Sequence, residues 1–122
     1  MTVTVAKLGA VVLDCPDPRA LAEFYAAILG GTVEDDGAGW VNLTGNEGAP
    51  LAFQEAPGHV PPKWPAADAS QQFHLDLTVD DLDAGEEQVL ALGAKVLDAE
   101  DRSRTFRVYA DPAGHPFCLC AC

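Results

Sequence analysis

The sequence is written twice, and any fold that respects it must be built from two copies of one unit. "LGAVVLDCPDPRALAEFYAAILGGTV" aligns with "QFHLDLTVDDLDAGEEQVLALGAKV", and "GWVNLTGNEGAPLAFQ" aligns with "FRVYADPAGHPFCLC", at offsets of 64, then 63, then 66 residues. Each half opens on an alternating strand, passes through a helix start flagged by Asp or Pro, and returns to strand after Leu-Gly. Each half also closes with a turn holding Gly48 or Gly114, followed two residues later by Pro50 or Pro116.

Local chemistry fixes the elements of the unit. In the first half Asp17 is suited to cap a helix and Pro18 to occupy its first turn. Leu21, Phe24, Tyr25, Ile28 and Leu29 then recur on one face, and Gly30 ends the helix. The second half repeats this with Asp81 as cap, Leu82, Val89 and Leu92 inward, and Gly93 as terminator. Helices are therefore expected near 17–29 and 81–92. Strands follow near 31–34, 39–44 and 50–55, and again near 94–98, 105–110 and 116–121. The expected fold is α+β, two tandem β-α-β-β-β modules in a single domain of residues 1–122. Module one covers 4–56, a Pro-rich linker 57–70, and module two 71–122.

The linker, "APGHVPPKWPAADASQ", carries prolines at 57, 61, 62 and 65 that forbid a helix there. It reads either as a passive tether or as a flap, since Trp64 sits at its middle with His59 and Lys63 nearby. In the last strand Cys118, Cys120 and Cys122 alternate with Phe117, Leu119 and Ala121, so the three thiols share one face. Neighbouring thiols on one strand point in parallel and cannot bridge, which favours reduced cysteines and a cytoplasmic protein.

With 7 Lys and Arg against 19 Asp and Glu, the formal charge is −12. No basic patch is available to neutralise phosphates, which excludes nucleic acid as a partner, and an acidic surface disfavours anionic membranes. A neutral or cationic small ligand is the partner the charge permits. No apolar run is long enough to span a bilayer, and "MTVTVAKLGAVVLD" does not read as a signal peptide.

Two such modules, with "DPAG" before the last strand and "FHLDLTVDDL" opening the second, resemble the vicinal oxygen chelate superfamily. This superfamily includes glyoxalase I, extradiol dioxygenases, and fosfomycin and bleomycin resistance proteins. The combination "LAFQ…PPKWP…HLDL…DPAGHPFCLC" is most similar to small bacterial glyoxalase-like proteins. The resemblance implies a cup-shaped curved sheet, the glyoxalase/bleomycin resistance/dihydroxybiphenyl dioxygenase fold, and a homodimer. It also implies a metal held by four donors, one on the first and one on the last strand of each module, usually His and Glu.

Carried over position by position, those donors fall on Ala10, Ala52, His74 and Cys118. Two of the four are alanine, so the usual metal site is missing and no cofactor is expected. A metal held by His74 and Cys118 would need His59, Asp76 or Gln54 to complete its set. His74 reads as a hydrogen-bonded interior residue, or else as a ligand or general base. Cys118 as a nucleophile would need His74 as its base, against the plainer reading of a small buried hydrophobe.

The inward face would then collect Trp40, Asn42, Gln54, Gln72, His74, Asp76, Phe106, Val108, Cys118 and Cys120, beside Ala10, Val12 and Ala52, with Trp64 as the flap indole. Phe53, Phe73, Leu75, Leu77, Phe117 and Leu119 would pack on the helices. Small and aromatic residues with a few amides make a pocket for a mostly apolar ligand, unless Trp40 and Phe106 only fill space. Two functions stand. One is metal-free binding of a small aromatic or cationic compound, as in antibiotic sequestration. The other is a glyoxalase-like lyase or isomerase acting through His74, possibly with an irregular metal site.

Overall fold

The computed structural model describes residues 5–121, so the expectations for Cys122 and for the module ends at 4 and 122 lie outside the described residues. The chain divides into two compact units, Met1–His59 and Val60–Cys122. The first contains β1 (Val11–Cys15), α1 (Pro18–Leu29), β2 (Thr32–Asp35), β3 (Trp40–Thr44) and β4 (Leu51–Glu55). The second contains β5 (Leu75–Thr78), α2 (Leu82–Ala91), β6 (Lys95–Asp98), β7 (Phe106–Ala110) and β8 (Pro116–Cys120). Each unit is the expected β-α-β-β-β module, with its four strands in a mixed sheet.

The two sheets share one topology, β1-β4-β3-β2 and β5-β8-β7-β6. The outer pairs β1–β4 and β5–β8 run parallel and the remaining neighbours antiparallel. A parallel pair needs a crossover, and the helix with the two strands after it supplies one in each unit. The closing turns match as well: Gly48 and Gly114 have φ of 90° and 91°, a left-handed conformation that glycine adopts without steric cost.

The helices start where their caps place them. The Asp17 side chain accepts from Ala20 N, and the Asp81 side chain accepts from Asp83 N and Ala84 N. Their packing differs. α1 buries Leu21, Ala22, Phe24 and Tyr25, with the Tyr25 ring stacked on Phe53 at 5.9 Å between centroids. In α2 the buried residue is Val89, and Leu92, expected inward, is 41% exposed. Leu92 belongs to the helix end that turns into Gly93, so its side chain leaves the apolar face.

Ionic contacts take over on α2. Arg107 on β7 is buried, and its Nη2 donates to Asp83 Oδ1 at 2.8 Å. Tyr109 Oη donates to Glu86 Oε1 at 2.8 Å, with Arg107 Nη1 3.7 Å from the same oxygen. By the repeat, Arg107, Tyr109 and Glu86 correspond to Val41, Leu43 and Ala22, so the first unit places apolar residues at these positions.

The linker is ordered against the second unit. A Cβ at Gly114 would lie 2.5 Å from Pro61 Cβ, so these residues are in tight contact. Lys63 N donates to Ala69 O at 2.7 Å, and a short 3-10 helix forms at Ala67–Ala69, past the last proline. Among the described residues no helix is long and apolar enough to cross a membrane.

Candidate functional site

Alternation sorts the second sheet into two faces. Leu77, Phe117 and Leu119 are buried on the α2 side, where a Cβ on Gly85 would stand 3.3 Å from Leu119 Cδ1. The opposite face carries Asp76 on β5, Cys118 and Cys120 on β8, and Phe106 and Val108 on β7. Register aligns these residues in rows: Asp76 is opposite Cys118, Cys118 opposite Val108, and Phe106 opposite Cys120. Val108, Cys118 and Cys120 form a buried cluster, and Trp64 from the linker packs on it. That contact makes Trp64 part of this face.

His74 immediately precedes β5 and points to the same side as Asp76. Its Nε2 stands 3.1 Å from Asp76 Oδ1. One donor atom each from His74, Asp76 and Cys118 lie within 4.8 Å of one another. Burial, the Asp76 carboxylate and the neighbouring Cys120 push the Cys118 thiol up to about 12. That shift favours the protonated thiol over the thiolate that a nucleophile needs. No disulfide joins Cys15, Cys118 and Cys120.

Phe106 is 37% exposed, and the Arg104 guanidinium covers its ring at 4.6 Å from the centroid. Arg104 in turn donates to Asp98 at 2.7 Å. Sequence reasoning missed Arg104, because the contact depends on how the loop from β6 returns to β7.

Two expected members of this unit are elsewhere. Gln72 was expected on the strand beside His74; it lies in a bend ahead of β5 with φ 60°, exposed. Phe73 was expected to pack on α2 but is 89% exposed. Both deviations have one cause: the strand starts at Leu75, so strict alternation does not extend back through the positive-φ turn.

In the first unit the equivalent face holds Trp40, Asn42, Ala52, Gln54 and Val12, with Val12 opposite Ala52 and Trp40 opposite Gln54. Trp40 Nε1 donates to Asn42 Oδ1 at 3.0 Å, so the indole N–H is satisfied within this face. Gln54 is exposed and Ala52 fully buried. Ala10, immediately before β1, and Ala52 offer no side-chain donor. The residues therefore do not fit the four-donor metal centre that the resemblance carries.

A model of the glyoxalase-like domain matches residues 10–120. Among solved structures, a glyoxalase/bleomycin resistance protein/dioxygenase family enzyme from Burkholderia phytofirmans PsJN matches at TM-score 0.70 and 20% identity, covering 93% of this chain and 97% of that one. The fosfomycin resistance protein FosX from Mesorhizobium loti matches at TM-score 0.71 and 14% identity, covering 98% and 94%. An E126Q mutant of FosX from Listeria monocytogenes, complexed with Mn(II) and 1S,2S-dihydroxypropylphosphonic acid, matches at TM-score 0.71 and 15% identity, covering 97% and 91%. At these identities the likeness is one of fold. No curated protein gives a significant match.

Proposed function

Because the chain belongs to the glyoxalase-like domain family, we propose that it is a metal-free protein that binds a small, largely aromatic or cationic compound, in the manner of antibiotic sequestration. The observation that carries this reading is Trp64 packed on Val108, Cys118 and Cys120. An indole laid over small apolar side chains, with the polar His74 and Asp76 at its border, is the composition of a site for a planar organic ligand. The charge of −12 favours a cation over an anion. Phe106 extends the same face, while Trp40, Asn42 and Gln54 on the first unit are candidate contacts to be tested separately.

Native mass spectrometry of chelator-treated protein against a panel of antibiotics and aromatic metabolites tests the reading. A stoichiometric complex that quenches tryptophan fluorescence supports it. A panel without any such complex counts against it.

The second reading, a lyase or isomerase, draws on the His74–Asp76 contact at 3.1 Å. A carboxylate beside an imidazole orients it and supports a general base. Turnover of the methylglyoxal–glutathione adduct, lost in His74→Ala, would establish it.

A further inference from the structure

A row of four side chains crosses the open face of the second sheet. Register sets Asp98 on β6 opposite Val108, Val108 opposite Cys118, and Cys118 opposite Asp76 on β5. An apolar middle is thus closed by a carboxylate at each edge. Phe106 stands near the Asp98 end, two residues before Val108 and on the same side of β7.

A cation already sits on this end of the face. The Arg104 guanidinium lies 4.6 Å from the Phe106 ring centroid, and its Nη2 donates to Asp98 Oδ1 at 2.7 Å. That separation is within the roughly 6 Å at which a ring face attracts a positive charge. Burial, Asp76 and Cys120 raise the Cys118 thiol, and Arg104 works against them, so its charge reaches the same face. The fold does not require this cation. By the repeat, Phe106 and Asp98 correspond to Trp40 and Asp35 of the first unit, but Arg104 corresponds to Ala38. Arg104 is also incompletely held, because its buried Nε has no hydrogen-bond partner among the described residues.

We infer that Phe106 and Asp98 form a cation subsite, which Arg104 fills intramolecularly and yields to the planar amidinium or guanidinium group of a ligand. The inference rests on the reading of this face as a site for an aromatic or cationic compound. It adds which residues recognise the charge and which residue competes for it.

The chemistry favours the exchange. An amidinium presents two parallel N–H groups that match a carboxylate bidentately, and its plane can lie against the Phe106 ring. The Arg104–Asp98 ion pair that is given up has side chains 27% and 32% exposed, so water screens it and its loss costs little. Once displaced, the guanidinium regains water at the unpartnered Nε. Phe106 is 37% exposed and becomes reachable when Arg104 leaves its ring. A neutral ring gains no ion pair here, and an anion would meet Asp98.

Benzamidinium is the probe, titrated into 15N-labelled protein by NMR, with neutral benzamide as the control. In the wild type, saturable binding should shift the Arg104 Nε–Hε resonance as the side chain leaves the ring. Arg104→Ala should bind benzamidinium about fivefold more tightly, the scale of an exposed cation–π contact and ion pair that no longer have to be displaced. Phe106→Leu and Asp98→Asn, each added to Arg104→Ala, should weaken binding by about threefold or more, and benzamide should bind these proteins far less well. Dispersed spectra establish that each variant is folded, and the Phe106 variant alone decides if the Asp98 variant is not. Equal affinity in wild type and Arg104→Ala, full binding in the Phe106→Leu variant, or benzamide binding as well as benzamidinium would overturn the inference. A panel compound bound by the wild type, with no benzamidinium binding, removes the subsite alone. Benzamidinium binding with an empty panel removes the organic-ligand reading alone.

Discussion

Arg107 on β7 donates from Nη2 to Asp83 Oδ1 on α2 at 2.8 Å, while the first unit has Val41 and Arg19 at the corresponding positions. One β-α-β-β-β plan thus closes its helix–sheet interface in two ways, by apolar burial alone under α1 and by apolar burial joined to a charged network at its edge under α2. Arg107→Ala should cost about 2 kcal/mol, because it removes a buried, hydrogen-bonded side chain and leaves a cavity. Arg107→Met should cost less, since an apolar side chain of similar volume can replace a buried ion-pair partner with little loss. Urea denaturation of the two variants measures the difference, and an equal cost for both would refute the account.

The Tyr109–Glu86 contact makes stability depend on pH at the alkaline end. Burial, then the Glu86 hydrogen bond, raise the Tyr109 phenol well above its ordinary 10.0. Burial, then Asp76, raise the Cys118 thiol from 9.0 to about 12. For an acid whose folded pKa is raised, the neutral form belongs to the folded state and the unfolded chain ionises first. The stabilisation is therefore complete below about pH 9 and drains as pH rises toward 12. Denaturation midpoints should fall across that window. Tyr109→Phe and Cys118→Ala should each flatten the fall, even though both lower stability at neutral pH. A wild-type profile that stays level through pH 11 would contradict this.

Much of this architecture was legible in the sequence, and the exceptions have physical causes. Asp17 and Asp81 marked the helix starts because caps act over a few residues, and β7 and β8 could be read because alternation is local. Gln72 and Phe73 misled because a positive-φ bend resets alternation before β5, which a pattern of polar and apolar residues does not reveal. Leu92 misled because the helical period runs on past the residue where the helix stops. The pairing of Cys118 with Asp76 depends on strand register across 42 residues, so donor spacing along the chain carried no sign of it. Arg107 and Asp83 meet for the same kind of reason: tertiary contact, not local pattern, brings them together.

Asp76 provides a further check on the geometry around Cys118. Its carboxylate stands beside the thiol and opposes thiolate formation, second only to burial. Asp76→Asn should therefore speed alkylation of Cys118 by iodoacetamide severalfold at pH 8, because more thiolate forms when the neighbouring charge is gone. Peptide mapping of labelled protein assigns the rate to Cys118 rather than Cys120. An unchanged or slower rate would mean that the carboxylate does not act on this thiol.

The two tryptophans separate a ligand site from plain packing. Trp64 rests on Val108, Cys118 and Cys120, whereas the Trp40 indole N–H is satisfied by Asn42 at 3.0 Å. If Trp64 caps a bound compound, Trp64→Ala should act mainly on escape, because a lid governs dissociation more than encounter. A rise in off-rate with little change in on-rate is the expected outcome in a stopped-flow competition measurement that follows the compound itself. Trp40→Ala should weaken a ligand that stacks on it by about 1–3 kcal/mol, the scale of a lost aromatic anchor. If Trp40 serves only as packing, the same change lowers the melting temperature and leaves affinity untouched. Trp40 would then leave the list of contacts, and an unchanged off-rate in Trp64→Ala would remove the observation on which the binding proposal stands.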